Sequence, residues 1–275
     1  MIRQERVFLA AGLFGALALL LIVPLVIAFL WSMVDPRLGW FAPDLWPRSL
    51  ALDHWRTAFG DRELIGSVLT SLLIACIVTA LSGAIALPTA YALAKLPFRL
   101  KRVVEIFVLA PLIVPGLVVG VGVGVLFFRL GLVYTIPGVV LVQLIGTLPL
   151  MIRILAAALE AIPGDLLQAA RTLGASPARV ALHVVLPLAW PGFLTGGLLS
   201  FIASFEEFEK SFIVGSPAVQ TLTIRLWTTL GGQVMIFPNA AVVTFILLTP
   251  LMLIFALAAW AGRGAGVLAS GMGKL

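Results

Sequence analysis

Four charged side chains crowd one apolar stretch, "LSFIASFEEFEKSFIVG": Glu206, Glu207, Glu209 and Lys210. Ionised groups in such a setting face a cavity or a partner rather than lipid. The carboxylates of Glu206 and Glu207 could draw a cationic solute, or Glu206 and Lys210 could neutralise one another as an i,i+4 pair. Gln143 and Thr147 lie one helical turn apart in a second apolar run and can line a path or bond between helices. A third polar set, Gln168, Arg171, Arg179 and His183, falls in "GDLLQAARTLGASPARVALHVVLPLAWPG", punctuated by Gly174, Pro177 and Pro187. It is tied at both ends to apolar spans and lacks a basic recognition face, so its chemistry reads as that of a protein-docking knob. The two histidines, His54 and His183, are far apart in sequence, Cys76 is the single cysteine, and the one Gly-Lys pair, Gly273-Lys274, is followed by Leu275. A phosphate-cradling G-x-x-x-x-G-K-[ST] loop is therefore missing. The expectation is a chain with no catalytic residues, no metal and no cofactor of its own.

The elements that position these residues must be lipid-soluble. The 275 residues are 61% hydrophobic and 11% charged, against about 45–50% and about 25% in soluble domains. The net charge of +6 is spread over loops, which speaks for membrane topology and against nucleic acid. Spans need about 20 mostly apolar residues, and six candidates appear, near Val7–Val34, Leu64–Ala94, Val103–Leu130, Thr135–Leu159, Leu188–Val214 and Ala240–Ala261. The first is too long for the apolar core of a signal peptide and reads as a retained span. The short loop "KLPFRLKR" with Lys95, Arg99, Lys101 and Arg102 falls on the same side as Arg3, Arg6, Arg153, Arg171, Arg179, Arg263 and Lys274. The other side carries fewer cations, namely Arg37, Arg48, Arg56, Arg62, Arg129, Lys210 and Arg225. Positive charge accumulates inside, so both termini and the polar insert at about 164–187 are expected in the cytoplasm. The outer loop at about 35–63 holds Trp40, Trp46 and Trp55, which suit the membrane boundary, and a short interfacial helix is expected over Asp53–Phe59. In the third span Pro111 and Pro115 break the hydrogen-bond ladder, while Gly116, Gly120, Gly122 and Gly124 permit close packing, so this helix should be kinked and packed against others.

The insert reads as two short helices with a fixed bend. Pro163-Gly164 ends the fourth span, and Asp165 is expected to cap a helix running from Leu166 to about Leu173. Gly174 suits the left-handed residue that terminates it. Ser176 and Pro177 then fit the N-cap and first position of a second helix, with Pro187 marking the start of span five. Leu166, Ala170 and Leu173 share one face of the first helix, and Gln168, Arg171 and Thr172 another. On the second helix Arg179 aligns with His183, while Val180, Val184 and Leu188 point back to the membrane. From Leu188, Glu206 would lie about 27 Å along span five, near the outer boundary.

"QAARTLGASPARVALHVVLP" resembles the EAA motif of ABC-transporter permease subunits, E-A-A-x3-G-x9-I-x-L-P, at Ala169, Ala170, Gly174, Leu186 and Pro187. Gln168 stands in place of Glu and Val184 in place of Ile. "PTAYALAKLPFRLKR", "APLIVPGLVVGVGV", "LPLMIRILAAALEAIP", "LSFIASFEEFEKSFIVG" and "TLTIRLW" are similar to successive segments of the spermidine/putrescine permease group, over about residues 60–260. Glu206 and Thr223 replace that group's usual Asp and Pro.

The resemblance implies an all-α integral membrane protein with the type I ABC importer permease fold. Six transmembrane helices would carry a coupling-helix insert between the fourth and fifth, and residues 1–275 would form a single permease domain. It implies a multi-pass location in a bacterial inner membrane. The implied partners are a second, homologous permease subunit, two ATP-binding subunits that hold ATP and Mg, and an extracytoplasmic substrate-binding protein. The coupling residues would be Gln168, Ala169, Ala170, Arg171, Gly174, Ala175, Ser176 and Arg179. The solute would be small, a polyamine-like cation or alternatively an aminophosphonate, opine, ferric iron or thiamine. From other classes, a stand-alone secondary transporter needs a coupling-ion site at mid-membrane and often inverted repeats, and a membrane enzyme needs a catalytic cluster.

Overall fold

The computed structural model describes residues 2–231 and 237–271, with side-chain surroundings for residues 12–231 and 237–256. Arg3, Arg6, Arg263 and Lys274, which weigh in the topology argument, lie outside the residues whose side chains are described. In chain order the helices are α1 (Ile2–Ser32), α2 (Asp53–Gly60), α3 (Arg62–Lys95), α4 (Lys101–Leu109), α5 (Gly116–Arg129), α6 (Ile136–Glu160), α7 (Gly164–Thr172), α8 (Pro177–Val180), α9 (Leu186–Phe205), α10 (Glu209–Gly215), α11 (Leu222–Gly231) and α12 (Phe237–Gly271). No strand occurs among the described residues, apart from one isolated bridge between Val34 and Leu50. Five helical stretches, Gly12–Ser32, Arg62–Lys95, Ile136–Glu160, Pro177–Phe205 and Phe237–Ala256, are long and apolar enough to cross a membrane. The sixth expected span is the pair Lys101–Leu112 and Gly116–Arg129, bent by 99°. The break falls between Pro111 and Pro115, each of which removes a backbone donor from the ladder.

Two expected boundaries differ. The span placed at Leu188–Val214 stops at Phe205, and Glu209–Gly215 is a separate short helix; the cause is the Glu207 carboxylate, which caps the new helix as described below. At its other end this span begins at Pro177 rather than at Pro187. Pro187 does not interrupt it, because residues Ala181–Val185 form a π turn. The wider turn makes room for the proline ring and its missing N–H.

The described chain sorts into two compact units. The first comprises Met1–Ile65 and Arg225–Leu275. Here α1 packs on α12 through Phe29 and Phe245, with ring centroids 5.8 Å apart. The expected interfacial helix is α2. Its Trp55 donates Nε1–H to Ser32 Oγ at 3.2 Å, and His54 Nδ1 meets Asn239 Oδ1 of α12 at 2.8 Å. Trp40 packs against Trp31 with ring centroids 4.9 Å apart and planes tilted by 35° and donates to the Asp44 carbonyl, whereas Trp46 is 68% exposed. Arg225 clamps the start of α3, with Nη2 donating to Asp61 and Nη1 to Glu63, both at 3.0 Å.

Asp61 also accepts from the N–H groups of Glu63 and Leu64. Partial burial raises the Asp61 pKa, but the Leu64 and Glu63 N–H groups and the Arg225 guanidinium outweigh it, and the net value lies below the ordinary 3.8. A carboxyl whose folded pKa is depressed stabilises the fold at pH above its unfolded value, and that contribution is lost as pH falls through the folded value. An acid titration followed by tryptophan fluorescence should therefore show a loosening step below pH 3.8 that Asp61→Asn lacks.

The second unit is Gly66–Ile224. Its centre is the α6–α9 crossing, made close by small residues as membrane helices require. A Cβ on Gly196 would lie 2.5 Å from Met151 Sδ, and one on Gly192 would collide with Ala158. Gly192 and Gly196 form a G-x-x-x-G pair that was not among the sequence-based expectations. Ile74 and Val78 of α3, Phe127 of α5, Val139 and Val142 of α6, and Val214 of α10 form one apolar cluster. The expected glycine packing on α5 is present on one face. A Cβ on Gly120 would lie 2.9 Å from Ile213 Cδ1 and one on Gly124 3.3 Å from Ile213 Cγ2, while Gly122 has open space.

Candidate functional site

The insert is built as a bent pair, with details the sequence did not dictate. Helix α7 starts at Gly164, and its N-cap position, Pro163, offers no side-chain bond. Asp165 is therefore not the cap; it sits in the first turn, where its charge complements the helix dipole. The C-terminal end matches expectation. Gly174 has φ +82°, Gly174 N–H donates to the Arg171 carbonyl at 2.9 Å, and Ala175 N–H to the Ala170 carbonyl at 3.0 Å. That pair of bonds is a Schellman motif, which satisfies carbonyls otherwise orphaned at a helix end. Ser176 Oγ accepts from Arg179 N–H at 3.4 Å, capping α8, with Pro177 following.

The faces are displaced from those expected. On α7 the half-buried residues are Leu167 and Ala170, joined by Ala175 in the bend, whereas Leu166 is 47% and Leu173 88% exposed. On the second helix Val180, Val185 and Ala189 are buried, and Leu188 is exposed. Val184 stays half-buried against this core as expected, while the π turn, which adds a residue to its turn, brings Val185 inward beside it and puts Ala189 in place of Leu188. These residues pack on Ala86, Ala90 and Leu93 of α3 and on Ile152, Leu155 and Leu159 of α6. Gln168, Ala169, Arg171, Gly174, Ser176 and Arg179 are left exposed on the outside of the bend. Arg179 and His183 keep their alignment through a ring-nitrogen contact to the Arg179 carbonyl at 3.2 Å.

One support escaped the sequence reading. Lys95 Nζ, at the end of α3, donates to the Ile162 carbonyl at 2.6 Å. A cation on the carbonyl end of a helix is favourable, and this one ties α3 to the elbow where α6 turns into the insert. The insert is thus fixed to three long helices at once, α3, α6 and α9.

The second candidate group lies toward the opposite end of α6. Gln143 is 1% and Thr147 3% exposed, about 10 and 16 Å from the Ile136 end. Gln143 Oε1 accepts from Ser204 Oγ, and its Nε2 donates to Ser211 Oγ at 2.8 Å. Ser211 Oγ donates in turn to Glu207 Oε2 at 2.7 Å. The Glu207 carboxylate also accepts the Lys210 and Ser211 N–H groups at 2.9 Å each and pairs with Lys210 Nζ at 2.8 Å. Lys210 therefore pairs with Glu207 three residues before it, not with Glu206. The carboxylate reaches α10's first N–H groups and the ammonium together only from that position. Thr147 Oγ1 donates to the Gln143 carbonyl at 3.1 Å and lies 3.0 Å from Ser82 Oγ of α3. Gln143 and Glu207 thus share one network through Ser211, Thr147 joins it through the α6 backbone, and Glu206 stands apart, exposed at the end of α9. Thr223 Oγ1 donates to the Glu207 carbonyl at 2.9 Å, a role for the residue that replaces proline.

Such a molecule has a rigid exposed knob at one end of its long helices and a buried polar hub toward the other, an arrangement suited to transmitting movement. Residues 84–265 match the family described as "Binding-protein-dependent transport system inner membrane component". A "Putative ABC transporter permease protein ORF1" of Streptomyces antibioticus is 30% identical over 212 residues, 77% of this chain and 93% of that protein. A "Putative 2-aminoethylphosphonate transport system permease protein" of Salmonella choleraesuis is 30% identical over 199 residues, 65% of this chain and 69% of that one. The fold is that of a chain in the crystal structure of a bacterial ABC transporter involved in the import of the acidic polysaccharide alginate. That match has a TM-score of 0.74 and 18% identity, covering 94% of this chain and 97% of that one. The chain therefore belongs to the binding-protein-dependent inner-membrane transport components, as a multi-pass permease subunit of an ABC importer.

Proposed function

We propose that residues 1–275 act as one permease domain, paired with a second permease chain and driven by two separate ATP-binding subunits that hold ATP and Mg. An extracytoplasmic binding protein delivers a small solute, which crosses by alternating access. Both termini and the insert face the cytoplasm. The observation that carries this reading is the insert: a bend locked by Gly174 and Ser176, anchored to α3, α6 and α9, with Gln168, Ala169, Arg171 and Arg179 outward. Ala170 and Ala175 set the inward side of the same coupling element. Docked in an ATPase groove, it would carry closure of the ATPases into the three helices. Family membership sets aside a stand-alone secondary transporter, and it supports reading the chain as a non-catalytic transport subunit.

For the solute we favour a small molecule bearing an ammonium group, a polyamine-like cation in the narrower reading. Glu206 is exposed at the end of α9 with no side-chain bond among the described residues, whereas Glu207 is engaged by four donors, so Glu206 would receive the cation, while Gln143 and Thr147, buried and bonded between helices, would brace the wall of its path from behind. The relative named for 2-aminoethylphosphonate, a solute with an ammonium and a phosphonate, makes a zwitterion the second reading. ATPase activity of the reconstituted assembly with its binding protein should be measured against putrescine, spermidine, an aminophosphonate, an opine and ferric iron. Stimulation by a polyamine that falls in Glu206→Gln is the expected result. Stimulation only by the aminophosphonate would replace the polyamine reading with the zwitterion.

A further inference from the structure

The loop between α3 and α4 has chemistry that transport does not use. Lys95, Leu96, Phe98, Arg99 and Lys101 line an open concavity of ≈ 660 Å³. Lys95 is committed to the Ile162 carbonyl, and among the described residues Lys101 reaches only Glu105, at 3.9 Å. Arg99 and Arg102 make no ion pair among the described residues and are exposed. Lys101 and Arg102 also occupy the first turn of α4, which contains no acid and has no side-chain cap. Cations at a helix N-terminus oppose its dipole, so this corner is electrostatically uncompensated among the described residues and would be stabilised by an external anion. The neighbours say which anion. Leu96, Phe98 and Leu100 are 49%, 39% and 63% exposed and alternate with the basic residues, and the loop joins two membrane-spanning segments. Apolar side chains at that level enter the acyl boundary while the guanidinium groups meet phosphates.

We infer that Leu96–Arg102 is a binding site for the headgroup phosphate of an anionic phospholipid, with Arg99 and Arg102 as its principal ligands. The inference rests on the reading that this loop faces the cytoplasm, where basic clusters beside spans meet anionic lipid. The lipid would hold the α3–α4 turn at the membrane surface, next to the Lys95 tie to the insert.

The test is native mass spectrometry of the purified transporter assembly, titrated with short-chain phosphatidylglycerol, with phosphatidylcholine and with inorganic phosphate. Each cation near an anionic surface is worth about fivefold in affinity. The double variant Arg99→Gln/Arg102→Gln should therefore bind phosphatidylglycerol about thirtyfold more weakly, with phosphatidylcholine binding unchanged. Arg99→Lys/Arg102→Lys should stay within a few-fold of the parent. Equal phosphatidylglycerol binding by the glutamine variant overturns the site. Displacement of the lipid by inorganic phosphate at similar concentration overturns the lipid assignment in favour of a simple anion site. Loss of the ATP-binding subunits from the glutamine variant, with lipid retained, makes the loop a protein-docking surface instead. If no ATP-binding subunit accompanies the parent chain, the assembly reading fails, while the lipid titration is still read on the chain itself.

Discussion

Replacing Gly174 by valine is expected to cut solute transported per ATP at least tenfold while ATP hydrolysis continues. Gly174 has φ +82° and nothing within 4 Å of an added Cβ, so the penalty is conformational rather than steric crowding by neighbours. Left-handed backbone costs an L-residue about 1–2 kcal/mol, and a β-branched side chain makes it a genuine outlier. The cheaper response is for the bend to open, which gives up the Gly174–Arg171 and Ala175–Ala170 bonds and moves the Ser176 cap of α8. Helix α7 would then no longer hold its angle to α8, and a knob with a loose joint cannot pass on force. Asparagine tolerates the left-handed region, so Gly174→Asn should retain most of the coupling. Uptake and phosphate release measured together in proteoliposomes decide the matter. Normal uptake by the valine variant would sink the coupling role, and parallel loss in the asparagine variant would point to a need for glycine beyond its backbone angle.

What was legible in the chain divides by distance. Gly174, Ser176 and Pro177 act on neighbours within five residues, so their caps and bend followed from local rules. Pro111 and Pro115 announced the break in the third span for the same reason. The π turn at Ala181–Val185 was hidden, because the inward shift to Val185 and Ala189 is decided by packing on α3 and α6. Lys95 looked like one more inside charge; its bond to Ile162 spans three intervening helices. The acidic run was visible as chemistry, yet which glutamate pairs with Lys210 depends on where α9 stops. That stop comes from a carboxylate capping the next helix, a competition that hydropathy cannot see. Gln143 was recognisable as polar in a span, but Ser204 and Ser211, its partners, are small hydroxyl residues that an apolar pattern tolerates without notice.

The Glu207 carboxylate is the place where structure and transport can be separated. Its side chain is 9% exposed and that of Lys210 14%. Removing one partner of a buried pair leaves an uncompensated charge and typically costs about 3–5 kcal/mol. Glu207→Gln should therefore destabilise the purified protein by about 3 kcal/mol, since the amide keeps the size but not the charge facing the ammonium. It also offers only one acceptor oxygen to donors that now use two. Lys210→Met alone should be costly as well, because it strands the carboxylate. The double variant Glu207→Gln/Lys210→Met removes both charges, and breaking a pair costs more than replacing it, so it should recover most of the loss. A double-mutant cycle on thermal unfolding reads that coupling directly. Glu206→Gln should leave unfolding unchanged, because Glu206 is exposed and no side-chain bond to it is formed among the described residues, yet it should weaken stimulation by a cationic solute. If instead Glu207→Gln unfolds like the parent and loses only transport, Glu207 is the solute's carboxylate and Lys210 its stand-in. The division of labour between the two adjacent glutamates would then be reversed.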